Sequence, residues 1–69
     1  MLTKPQATAL AKWRNGKPEN EVELRVRHDI YWRLKDAEFL QSAGVLHSKI
    51  TEAGRKALEE YEAKHGQIK

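Results

Sequence analysis

The sequence predicts an α+β domain, mostly helical, with three helices and a small antiparallel sheet of two or three strands. Three observations carry that reading. Threonines at positions 3 and 51 each precede a helical stripe of apolar residues. Residues 24–53, LRVRHDIYWRLKDAEFLQSAGVLHSKITEA, pass from an alternating apolar pattern to a helical one and back again. At 69 residues, with 33% charged and 39% apolar residues, the chain has room for one core only, and 1–69 is read as a single domain.

The first helix is predicted over 3–15. The Thr3 hydroxyl and the Gln6 side chain have the spacing of a reciprocal cap, and Pro5 falls in the first turn, where its missing N–H is not needed. Leu2 and Ala7 can staple the chain entering the helix. Ala7, Leu10 and Ala11 lie along one stripe, with Trp13 beside Leu10. Asn15-Gly16 ends the helix, since glycine takes the left-handed conformation that closes one.

A strand is predicted over 22–27. Val22, Leu24 and Val26 alternate with Glu23, Arg25 and Arg27, which would put the two arginines on one outward face. A second helix follows over 29–43, with Asp29 as its cap and Ile30, Leu34, Ala37 and Gln41 on the core stripe. Trp32, Phe39 and Ala43 fall on roughly the opposite side. Three readings of this double face stay open: a helix sandwiched between two elements, a break near residues 36–38, or a second face that binds a partner. Gly44 stops this helix. A strand over 45–50 follows, with Leu46 and Ile50 inward and His47 and Lys49 outward, paired to 22–27. The last helix runs over 51–64, capped by Thr51, with Glu52 in its first turn and Ala53, Ala57, Leu58 and Tyr61 on its buried stripe.

Charge is uneven. Residues 1–50 carry nine Lys or Arg against six Asp or Glu, whereas residues 51–69 carry four of each. Arg25, Arg27, Arg33 and Lys35 face Asp29 alone within residues 24–35, a local excess that favours phosphate or another polyanion. Enzymatic chemistry is not indicated. Asp29 and Asp36 are two helical turns apart, about 10 Å along an axis, and His28, His47 and His65 belong to three separate elements. There is no glycine-rich phosphate loop, no cysteine and no metal-ligand spacing. No cofactor is expected. No apolar run has membrane-spanning length and the first residues lack a signal-peptide apolar region, so the expected location is cytoplasmic and no membrane partner is expected.

The segment RVRHDIYWRLKDAEFLQSAGVL followed by ITEAGRKALEEY resembles the winged helix-turn-helix DNA-binding proteins of bacteria and their phages. The matching residues are Leu34, Gly44, Val45, Leu46, Ile50, Thr51, Ala53, Gly54, Arg55, Ala57 and Leu58, within residues 24–61. The resemblance implies a winged-helix-like domain that binds duplex DNA, a small transcription regulator of a phage or mobile element. Its recognition helix maps onto 29–43. The residues this implies for DNA are His28, Tyr31, Trp32, Arg33 and Lys35, with Arg25 and Arg27 beside the groove and Lys49 on the hairpin. Gly54 would permit close approach of the last helix to its neighbours. The chain departs from the family in two places. Residues 45–51 leave almost nothing for a hairpin tip, and the helix that usually precedes the recognition helix is missing or replaced by 17–27. The alternative is a protein-interaction module on the same fold, in which Trp32, Phe39 and Trp13 anchor a protein partner or a second copy in a homodimer.

Overall fold

The computed structural model describes residues 2–66. Its elements are α1 (Lys4–Ala11), α2 (His28–Asp36), β1 (Leu40–Ser42), β2 (Ser48–Ile50) and α3 (Glu52–His65). The sheet is antiparallel, with Leu40 opposite Ile50, Gln41 opposite Lys49 and Ser42 opposite Ser48. Glu19 adds an isolated bridge to β2 at Ser48, donating to the Ser48 carbonyl at 2.8 Å and accepting from its N–H at 2.9 Å. Helix, bridge residue, helix, hairpin and helix, in that order, make a winged-helix-like layout, α+β and mostly helical.

The helix starts follow their local signals. Thr3 Oγ1 accepts from the Gln6 N–H at 3.4 Å and Gln6 Oε1 from the Thr3 N–H at 3.1 Å, so two otherwise orphaned donors are satisfied. Thr51 Oγ1 accepts from the Gly54 N–H at 3.0 Å and donates to the Glu38 carbonyl at 2.6 Å, which ties the start of α3 to the end of the preceding turn. Gly54 is buried. A Cβ there would meet the Phe39 carbonyl oxygen and lie 2.9 Å from Ile50 Cγ1, so only glycine lets α3 lie this close to the sheet. α1 ends at Ala11 rather than at residue 15, and residues 12–14 donate three residues back in tighter turns.

Residues 22–27 do not form the predicted strand. Asn20 Oδ1 accepts from the Val22 N–H at 2.8 Å and starts a single helical turn over residues 21–25. The turn closes with Arg25 N–H to the Val22 carbonyl at 3.1 Å and Val26 N–H to the Glu21 carbonyl at 3.0 Å, while Arg25 sits at φ +58°. This is a Schellman closure, whose left-handed residue is usually glycine. The turn satisfies its own backbone, and the free edge of β2 is taken by Glu19 instead. Alternation therefore reflects Leu24 and Val26 half-buried against the core, with Val22 exposed. Arg25 and Arg27 no longer share a strand face.

The helix predicted over 29–43 stops at Asp36, which selects the break among the three readings. Glu38 at φ +63° closes it, with Glu38 N–H to the Lys35 carbonyl at 3.0 Å and Phe39 N–H to the Leu34 carbonyl at 2.9 Å. Gly44 is therefore no helix stop. It belongs to a hairpin tip over residues 43–47, closed by Ala43 N–H to the His47 carbonyl at 3.0 Å, so the hairpin has a tip after all. The strand predicted over 45–50 is shortened to β2, and its partner is β1, not 22–27. Ile50 faces inward as predicted, but Leu46 lies at the tip at φ +61° and is 78% exposed.

The core joins Leu2, Ala7, Leu10 and Trp13 from the N-terminal segment with Tyr31 and Leu34 of α2, Leu40 and Ile50 of the hairpin, and Leu58 of α3. Ala37 and Gln41 are exposed because the helix ends before them. An ion pair from Arg14 to Glu62 joins the turn after α1 to α3. No helix among the described residues is long and apolar enough to cross a membrane.

Candidate nucleic-acid interface

α2 has nine residues, about 13 Å of helix, which matches the width of a B-DNA major groove. Tyr31 and Leu34 are buried, so the helix presents His28, Asp29, Trp32, Arg33 and Asp36 to solvent. Its cap is Arg27, in extended conformation and without a side-chain capping bond; Asp29, predicted as the cap, stands one residue inside His28. There its carboxylate meets the positive end of the helix. Arg27 is paired with Asp29 through Nε to Oδ1 and Nη2 to Oδ2, both at 3.3 Å. Because both side chains are largely exposed, the pair contributes little.

Along α2, His28, Trp32 and Lys35 form a ladder at i, i+4 and i+7. Trp32 Nε1 donates to His28 Nε2, with the rings edge to face at 5.7 Å, and His28 Nδ1 is 3.4 Å from Glu21 Oε2. Lys35 Nζ lies 5.4 Å from the Trp32 ring centroid and 5.6 Å from that of Tyr31, and donates to Ser42 Oγ at 3.1 Å. Cation–π attraction and this hydrogen bond hold the ammonium between α2 and β1. Trp32 remains 46% exposed.

Tyr31 is placed differently from the prediction. It is buried, and its hydroxyl lies 2.8 Å from Ser48 Oγ, itself the one buried polar side chain among the described residues. Tyr31 therefore braces α2 against the hairpin and offers no surface to a groove. Lys49 also stands apart: it is opposite Gln41, on the hairpin face that points away from Ser48 and Tyr31. The structure thus brings together His28, Trp32 and Lys35, with Arg27 at the start of the helix, whereas Arg33 lies on the other flank of α2, beside Gln6 and Phe39. Arg25 lies one turn before them, Lys49 lies on the far face of the hairpin, and Tyr31 lies inside.

The three proposed aromatic anchors do not form one face. Trp13 is fully buried, and its indole N–H donates to the Glu19 carbonyl at 3.4 Å, so it has no surface to offer. Phe39 is half-buried beside Leu2, Ala57 and Tyr61, away from the neighbours of Trp32. Sequence reasoning missed Ser42 and Ser48, which hold Lys35 and Tyr31. A serine in a short strand carries no signal of its partner, and only the hairpin register places these two opposite each other.

No family model, curated protein or solved structure matches the chain.

A Tyr31→Phe substitution separates bracing from binding. It leaves Ser48 Oγ buried without its partner and should destabilise the domain by about 1–3 kcal/mol in urea denaturation. Its affinity for duplex should stay at the wild-type value; a drop in affinity at unchanged stability would put Tyr31 at the interface.

Proposed function

We propose that this domain binds duplex DNA, with α2 in the major groove and the hairpin beside it. The observation that carries this reading is the exposed face of α2, centred on Trp32, with Arg33 on one flank, Lys35 on the other and Arg27 at its start. Arg27–Asp29 is the only ion pair that any of these four makes among the described residues. Cations of this kind neutralise phosphates, and Arg and Lys also pair with guanine edges. Asp29 and Asp36 share the face; carboxylates there accept from cytosine amino groups and disfavour phosphate, which makes the central face suited to bases and its flanks to the backbone. The hairpin, with its tip over residues 43–47, supports the same reading. A regulator of transcription is the role this activity would serve.

Binding of the protein to a fluorescein-labelled random-sequence duplex across a salt series tests this. The three cations of α2, Arg27, Arg33 and Lys35, contribute about −2.7 to the log–log slope if each contacts a phosphate. Absence of binding even at low salt would overturn the reading.

A second reading, a protein-interaction module, is favoured by one observation: Val45 and Leu46 are 85% and 78% exposed at the hairpin tip. Adjacent aliphatic side chains in water suit a partner with an apolar pocket.

A further inference from the structure

The predicted interface ends at Arg25, yet the cations continue onto α1. A groove of about 340 Å³ runs between α1 and the corner at residues 24–27. Its walls carry Lys4, Lys12, Arg25 and Arg27 over a floor that includes Ala9 and Ile30, and no carboxylate residue lines it. Lys4, Lys12 and Arg25 make no ion pair among the described residues. Lys12 Nζ donates to the Leu24 carbonyl at 2.8 Å, which fixes its charge at the corner rather than leaving it free to sweep. Arg25 holds the left-handed position of its turn at φ +58°, where glycine would be unstrained.

We propose that this groove binds phosphate, and that its ligand is the DNA backbone flanking the groove read by α2. The inference rests on the DNA-binding reading for its source of phosphate. Lys4 and Lys12 are eight residues apart on the α1 side, about 12 Å, while phosphates of one strand advance about 3.4 Å each along the duplex axis. A row of that length fits a run of phosphodiesters better than a single small anion. Arg27 belongs both to the groove and to the start of α2, so it is the residue that joins the two surfaces.

The test is duplex binding across a salt series with the full chain and two variants. Lys4→Ala with Lys12→Ala should reduce the log–log slope by about 1.8 and the affinity at 0.1 M salt by about 60-fold. Arg25→Gly should reduce affinity by about 8-fold while the melting temperature stays the same or rises, because glycine takes this backbone conformation freely. Loss of binding with equal or greater stability is a result that a purely structural arginine would not give. If the wild type binds and both variants keep its slope, the groove assignment is overturned and the DNA reading stands. If the wild type does not bind duplex at all, the DNA reading fails, and titration with tripolyphosphate decides the groove. Amide shifts confined to Lys12 and residues 25–27 would then support a phosphate site supplied from another source, and absence of shifts would overturn it.

Discussion

Trp13→Ala should leave the chain largely unfolded at 37 °C. The indole is fully buried, its ring centroid is 6.3 Å from that of Tyr31, and its N–H donates to the Glu19 carbonyl. Removing a buried tryptophan costs about 3–5 kcal/mol through lost transfer free energy and the cavity left behind. A chain of this length has a total stability of about 3–10 kcal/mol, so the loss takes most of it. The effect reaches the sheet as well. Glu19 is the residue that bridges to Ser48, and Ser48 is the partner of Tyr31. Without Trp13 the loop that carries Glu19 loses its anchor, and the brace between α2 and the hairpin weakens with it. Urea denaturation followed by far-ultraviolet circular dichroism measures this; a cooperative transition near the wild-type midpoint would contradict the central place given to Trp13.

The second large effect is on binding. Arg27→Ala, Arg33→Ala and Lys35→Ala together should lower duplex affinity about 500-fold at 0.1 M salt and remove about 2.7 from the log–log slope, since each phosphate contact contributes about 0.9 per decade of salt. The same three changes should cost less stability than Trp13→Ala. Arg27 pairs with Asp29 in the open, where an ion pair contributes at most about 1 kcal/mol. Half-buried Lys35 contributes cation–π contacts to Trp32 and Tyr31 of about 0.5–1 kcal/mol and a hydrogen bond to Ser42 of about 0.5–1.5 kcal/mol. The contrast with Trp13→Ala is the informative result: one variant loses the fold, the other loses the ligand. A triple variant that folds and still binds with the wild-type slope would move the interface off α2.

The starts of α1 and α3 were legible because a cap is a local signal, whereas α2 starts at His28 with no side-chain cap. Thr3 with Gln6, and Thr51 with Gly54, state their hydrogen bonds within four residues of sequence. The end of α3, expected at residue 64, lies at His65, but the ends of α1 and α2 were not legible. Three chain reversals use residues other than glycine in the left-handed region: Arg25, Glu38 and Leu46. No glycine punctuates the chain at these points, so the turn at residues 21–25 reads as a strand and α2 reads as running on to Gly44. Alternation over six residues, as at 22–27, is also what one helical turn followed by an extended step produces when its apolar residues touch one core. For the site, charge and aromatic content singled out residues 27–35, but burial divided them. Tyr31 went inside because Ser48, seventeen residues on, meets its hydroxyl. The groove that gathers Lys4 and Lys12 with Arg25 was equally hidden, because it depends on where a loop crosses a helix.

The bridge from Glu19 to Ser48 has a consequence for behaviour at high concentration. With β1 on one side and Glu19 on the other, β2 has no row of free backbone groups at its centre. The remaining edge is that of β1, three residues long, and short edge strands are poor templates for strand addition between molecules. Aggregation by sheet extension is thereby disfavoured, and the exposed apolar side chains, Val45 and Leu46 at the hairpin tip foremost, are the places where copies of this chain would adhere.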